Sequence, residues 1–215
     1  MKITNKHKAL ITAAVPEVTF DGWTWKALER AADSLDMHPL IARDYFPGGG
    51  ADMIMVHSLM ADEAMVEVVS KEDLAELGIK GGISAVLMAR FKANQESREA
   101  IRRAVALLAQ PSNTGLATKL LLKTVGAVWV AVGDKSEDYN YYSKRALLAG
   151  VYSATLLVWL DDESEDLSDT KAFLERRLSG VVSTFGKIGK LRSAFAKHFP
   201  NLPDPLGWVR APTKD

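Results

Sequence analysis

Few residues in this chain have the types and spacing that chemistry requires. There is no cysteine, which excludes disulfides, thiolate metal sites and thiol nucleophiles. The four histidines, His7, His38, His57 and His198, form no His-x-x-His, Glu-x-x-His or His-Glu-x-x-His arrangement, so no metal or di-iron centre is indicated. His38 is expected in a turn between two helices and His57 on a later helix. Gly48-Gly49-Gly50 lacks the Gly-Lys-Ser/Thr ending of a phosphate loop and is expected to be a turn. There is no Gly-x-Ser-x-Gly nucleophile elbow. The acidic run Asp161, Asp162, Glu163, Glu165, Asp166 and Asp169 lacks calcium-loop spacing and is expected to be solvated. No enzyme and no cofactor is expected. What remains is recognition chemistry. Tyr139, Tyr141 and Tyr142 stand with Asn140, Lys144 and Arg145 at a helix end, and aromatics and arginine there are the types that supply most interface energy. Tyrosines stapled onto a neighbouring helix are the alternative.

These residues must be positioned by helices. Apolar spacing predicts helices at about 6–20, 24–35, 39–46, 51–70, 82–93, 97–109, 114–132, 137–160 and 169–198, with the proline-rich tail after Phe199 extended or disordered. On the long helix 137–160, Tyr141, Arg145, Leu148, Tyr152, Thr155 and Trp159 share a face, and Leu147, Gly150, Val151, Ala154 and Val158 cover another. The preceding helix carries Leu121, Val125, Val128, Trp129 and Val132. Helices so broadly apolar are expected to be buried or to wall an apolar cavity. The interspersed Gly126, Ala127, Ala131, Ala149, Gly150 and Ala154 either leave room for a chain-like ligand or let helices pack closely, and close packing is the ordinary state of an interior. Leu147 to Leu160 and Leu120 to Val132 are too short or too interrupted for membrane spans and are expected as core helices. The basic N-terminus leads into an apolar run that stops at Pro16 without a cleavage site, so no signal peptide is read.

Twenty-seven basic and 27 acidic residues give zero net charge, an average over unequal segments. From Asp21 to Met60 three bases (Lys26, Arg30, Arg43) face six acids. The acidic run carries −6. From Lys171 to His198 seven bases meet only Glu175. In that last segment Phe185, Ile188, Leu191, Phe195 and Phe199 recur at helical spacing between Lys187, Lys190 and other bases, the pattern of a helix lying on an anionic bilayer. An ordinary solvated helix closing the bundle is the alternative. Lys171 to Val182 is expected to pack on the bundle, and Thr184 to Phe199 to face lipid.

The first helices form a unit with helix-turn-helix spacing. Thr24 is placed to cap the second helix with Trp23 stapling onto Leu28, Asp36-Met37-His38 is a three-residue turn, and Pro39 opens the third helix. The run ARDYFPGGGADMI resembles the end of the recognition helix in TetR-family regulators. Glycines stand where that family usually has a lysine, and the local acidity opposes phosphate contact, so no nucleic-acid partner is expected.

Residues 97–178 carry the more specific resemblance. The series Gly133, Asp134, Ser136, Asp138, Tyr139, Asn140, Tyr141, Tyr142, Ser143, Lys144, Arg145 and Ala146, followed by WLDDESE and then FLERR, resembles the ninth Coq protein of coenzyme Q biosynthesis in its bacterial form. With Gly22-Trp23-Thr24 the likeness spans roughly residues 5–190. It implies a TetR-like all-α fold that has lost DNA binding. It also implies binding of isoprenoid lipids, presentation of quinone intermediates to the di-iron demethoxyubiquinone hydroxylase, and attachment to the inner membrane by a C-terminal amphipathic helix. Tyr141 stands where many members have tryptophan, which puts partner affinity or choice in doubt.

The expectation is therefore an all-α, TetR-like bundle: a degenerate helix-turn-helix unit (1–60), a helical lipid-binding body (61–183), and an amphipathic membrane helix with a proline-rich tail (184–215). The function expected is a non-enzymatic, cytoplasmic accessory protein of ubiquinone biosynthesis, peripheral on the inner membrane and homodimeric. Leu121, Val125, Trp129, Leu148, Tyr152, Thr155 and Trp159 are expected to shelter an isoprenoid lipid or quinone intermediate. Tyr139, Asn140, Tyr141, Tyr142 and Arg145 are expected to meet the hydroxylase, and Phe185, Lys187, Ile188, Lys190, Leu191, Phe195 and Phe199 the membrane surface. A TetR-family regulator sensing a small apolar ligand is the alternative function.

Overall fold

The computed structural model describes residues 3–69, 74–133 and 139–180. Among them are nine α-helices and no strand: α1 (Asn5–Asp21), α2 (Trp25–Ser34), α3 (Pro39–Tyr45), α4 (Gly50–Val69), α5 (Gly78–Ala93), α6 (Arg98–Leu108), α7 (Thr114–Ala131), α8 (Tyr139–Leu160) and α9 (168–180). Among the described residues the all-α class and nearly every boundary agree with the sequence spacing; the expected end of the last helix at 198 and the tail after Phe199 lie outside them. The exception is α5, expected from residue 82. Its start at Gly78 places Gly81 and Gly82 inside the helix, and a Cβ at Gly82 would lie 3.2 Å from Val132 Cγ1. Glycine there serves a close approach of side chains rather than a break.

Packing divides the chain into two compact units, Met1–Val68 with Ala89–Thr124, and Val69–Met88 with Val125–Asp215. The core of unit 1 joins Leu10, Ile11, Ala14 and Val18 of α1 to Ala27, Leu28, Ala31 and Ala32 of α2, with Phe46, Met53 and Val56 beside them. Local signals explain how these helices begin and end. The Thr24 hydroxyl accepts from the Ala27 N–H and caps α2, and Trp23 buries its ring in the same core as Leu28 while donating Nε1 to the Ala100 carbonyl at 2.9 Å. At the far end of α2 the Met37 N–H donates to the Ala32 carbonyl and the Asp36 N–H to that of Asp33, with Asp36 at φ 52. This is a Schellman closure that turns the chain sharply into α3. Pro39 then occupies the first turn and His38 accepts from the Leu40 N–H at 3.2 Å.

The triple glycine is the turn that spacing predicted, and its reason is steric. A Cβ at Gly50 would sit 2.2 Å from the Trp23 carbonyl oxygen. The Gly48 N–H donates to Asp52 Oδ2 at 2.7 Å, so Asp52 secures the start of α4. His7 is likewise a local device. Its Nδ1 accepts from the Thr4 N–H at 3.1 Å, and its ring meets Tyr45 and Phe46 edge-on.

Within unit 2, Leu174 and Leu178 bury one face of α9, so the described part of residues 171–182 packs as expected. One expectation about the acidic run fails. Asp162 is not solvated: it is buried, and its carboxylate accepts from the Ser164 N–H at 2.8 Å and the Thr170 N–H at 2.8 Å, as well as from both hydroxyls. Burial would raise its pKa, but these hydrogen bonds win and hold it at about 2. The other acids of the run remain exposed.

Candidate functional site

The broadly apolar helices meet in unit 2. Val125, Val128 and Trp129 of α7 are buried there, as are Leu148, Val151, Tyr152, Thr155, Trp159 and Leu160 of α8. The Lys144 ammonium lies 5.5 Å from the Trp129 ring centroid, within cation–π range. Trp129 Nε1 is buried without an acceptor among the described residues. The Thr155 hydroxyl is committed to the Val151 carbonyl at 2.7 Å, so it offers no free donor to a ligand. Six of the seven residues expected to shelter a ligand thus lie in one unit. Leu121 is half-buried and belongs to unit 1.

The small residues do not all face inward. Gly150 is exposed, and a Cβ there would meet nothing within 4 Å. On α7, Gly126 is half-buried with the same open space, and Val130 is 71% exposed. Leu122 and Leu157 are exposed too. The expectation that both helices are wholly core is therefore corrected: each keeps an apolar outward stripe. Residues Pro111–Ala131 are long and apolar enough to cross a membrane by length and composition alone. The spacing of Leu122, Gly126 and Val130 was the available signal for that outward stripe.

Tyr139, Asn140 and Tyr141 open α8, and their side chains lie outside the described residues. Tyr142 is exposed and Arg145 half-buried on the same turns. Phe185, Lys187, Ile188, Lys190, Leu191, Phe195 and Phe199 also lie outside the described residues.

Unit 1 holds two arrangements invisible in the sequence. The first is a buried polar cluster. Arg90 pairs with Asp62 at 3.1 Å, and the Thr124 hydroxyl donates to Asp62 Oδ1 at 2.9 Å. Burial pushes the Asp62 carboxyl up against the pull of Arg90. His57, edge-on to Trp23 at 5.4 Å, is lowered to about 4 by burial and then by the Arg90 charge. No group of three or more acids and histidines that could hold a metal occurs among the described residues. The second arrangement concerns the bases of the helix-turn-helix. Lys26 pairs with Asp21 at 2.8 Å, holding that carboxyl below its usual range. Arg30 pairs with Glu17 at 3.2 Å and Asp21 at 2.8 Å, and Arg43 pairs with Glu29. All three cations are neutralised inside the unit.

A family model described as COQ9 matches residues 114–184, which hold α7, α8, the acidic turn and α9. Ubiquinone biosynthesis protein COQ9-A, mitochondrial, of Xenopus laevis is 31% identical over 87% of this chain. Residues 114–184 thus carry a COQ9-family domain, and the likeness to COQ9 proteins extends over most of the chain. The human COQ9 protein, also named as mitochondrial and of ubiquinone biosynthesis, is 30% identical over 81% of the chain. The chain spans 61% of the length of the Xenopus protein and 57% of the human one. The crystal structure of a TetR transcriptional regulator from Nitrosomonas europaea superposes with a TM-score of 0.66, covering 82% of this chain and 97% of that one at 22% identity. At that identity the likeness shows the fold alone, and the fold is TetR-like.

Proposed function

We propose that the chain serves ubiquinone biosynthesis as a non-enzymatic accessory protein. It shelters part of an isoprenoid quinone intermediate and presents it to the demethoxyubiquinone hydroxylase. The observation that carries this reading is the COQ9 match over residues 114–184, because that span contains the buried apolar faces of α7 and α8. Holding the polyprenyl chain against such faces lowers the cost of drawing a very apolar substrate out of a bilayer. The tyrosine-led start of α8 is the proposed contact with the hydroxylase, and residues 184–199 the proposed contact with the inner-membrane surface. The working assembly is a homodimer.

The regulator reading draws on the fold alone. Against it stand the pairing of Lys26, Arg30 and Arg43, which leaves the helix-turn-helix without free cations for phosphate. Mass spectrometry of organic extracts from natively purified protein is expected to find co-purified isoprenoid. Extracts free of isoprenoid, together with salt-dependent binding to duplex DNA, would replace the accessory reading with the regulator.

A further inference from the structure

The surface that a DNA-reading helix would present is here apolar and rimmed by acid. On α3, Leu40 is 63% and Ile41 52% exposed, although the buried side of the helix is supplied by Ala42 with Phe46 just beyond it. Folding does not require apolar residues at 40 and 41. Leu35, at the end of α2 and one tight turn away, is 40% exposed. Asp44 lies four residues after Leu40 and three after Ile41, and so on their side of α3. Asp33 and Asp36 flank Leu35. Asp33, Asp36 and Asp44 are exposed and make no ion pair among the described residues, whereas every base of the α2–α3 unit is paired. The unneutralised charge around Leu35, Leu40 and Ile41 is therefore wholly negative.

We propose that this face docks a partner protein through a cationic amphipathic segment, whose apolar side chains cover Leu40 and Ile41 and whose lysines or arginines meet Asp33, Asp36 and Asp44. Charge complementarity selects the occupant. Phosphate backbones and anionic lipid surfaces are repelled by the same three carboxylates, and a neutral apolar partner would leave them desolvated and unpaired. The patch is small, which suits a transient contact with one central apolar anchor. It does not depend on lipid binding by unit 2.

The test uses the full chain and a fluorescent synthetic helix with leucine at i, i+3, i+4 and i+7 and lysine elsewhere, beside a peptide with glutamate in place of lysine. The lysine peptide is expected to bind saturably and the glutamate peptide not at all. The double variant Leu40→Ser, Ile41→Ser is expected to weaken binding by at least about tenfold, the scale of losing a central anchor. Asp44→Asn should weaken it by a smaller factor without touching any apolar contact, and Val130→Ser, an exposed change in unit 2, should leave it unaltered. Lysine-peptide binding that survives the double variant, or falls equally with Val130→Ser, overturns the proposal. In cells, a benzoylphenylalanine at position 41 is expected to cross-link a polypeptide segment bearing basic and apolar residues at helical spacing. Adducts only to nucleic acid or lipid, or no adduct, would overturn it as well.

Discussion

The guanidinium of Arg43 lies over the indole of Trp25, 5.3 Å from the ring centroid, and pairs at the same time with Glu29. Arg43 is the only base on α3. Stacked and paired, it holds α3 against α2 instead of reaching outward. The one cation of α3 thereby serves the packing of the two helices.

Replacing Arg43 by alanine is therefore expected to reduce stability without changing affinity for DNA. An exposed cation–π contact and an exposed ion pair together amount to about 1 kcal/mol. Urea unfolding should show that loss. Fluorescence anisotropy with duplex DNA at about 50 and 200 mM salt should show no specific binding by parent or variant. Parent binding that collapses with Arg43→Ala would make the residue a DNA contact.

His57 gives the chain an acid-sensitive core. Its pKa is 6.5 unperturbed and about 4 in the fold, so between these values the unfolded chain binds a proton that the folded chain refuses. Stability is thus full above pH 6.5, falls as the pH drops, and levels off below about 4, with at most about 3 kcal/mol at stake. Asp62, whose carboxyl is raised, titrates in the opposite sense, but it is common to parent and variant. The stability difference between the parent and His57→Leu should therefore shift by about that amount from pH 7 to pH 4. Parallel pH profiles would show that His57 takes up its proton as readily in the fold as in the unfolded chain.

Two glycines separate steric need from chance. At Gly50 a methyl group would collide with the Trp23 carbonyl, whereas at Gly150, in the middle of α8, it would meet open space. Gly50→Ala is expected to cost about 3 kcal/mol or more, in the range of overpacking against rigid backbone. Gly150→Ala is expected to add about 0.5–1 kcal/mol through helix propensity. Thermal melts of both variants check the pair. A neutral Gly50→Ala would mean that the start of α4 can move away from Trp23.

What was legible beforehand follows the range of the interactions. Thr24, Pro39 and the glycine turn act within a few residues, and their positions alone placed α2, α3 and α4. Asp62, Arg90 and Thr124 come from three helices and meet only through tertiary packing, so no spacing announced them. Asp162 looked like one acid among six because its neighbours are solvated; its burial depends on Thr170, eight residues on, folding back as the start of α9. On α7 and α8 the apolar content was evident, but hydrophobicity does not say which stripe is covered. Val130 and Gly150 turned out to face solvent while Trp129 and Ala149 do not.

The C-terminal segment is the place where the membrane role stands or falls. Its bases Lys187, Lys190, Arg192 and Lys197 alternate with Phe185, Ile188, Leu191 and Phe195. Each base near an anionic surface contributes about 1 kcal/mol, and the contributions shrink within a Debye length as salt rises. Removing residues 184–215 is expected to abolish flotation with vesicles containing phosphatidylserine, while the helical body, whose buried Leu174 and Leu178 lie before the cut, keeps its melting transition. In the full chain, neutralising Lys187 and Lys190 to glutamine should weaken vesicle binding about thirtyfold at low salt. Binding to purely phosphatidylcholine vesicles should be weak for parent and variant alike. Flotation unchanged by the truncation would place the membrane contact elsewhere, and the apolar outward stripe of α7 at Val130 would then be the surface to alter next.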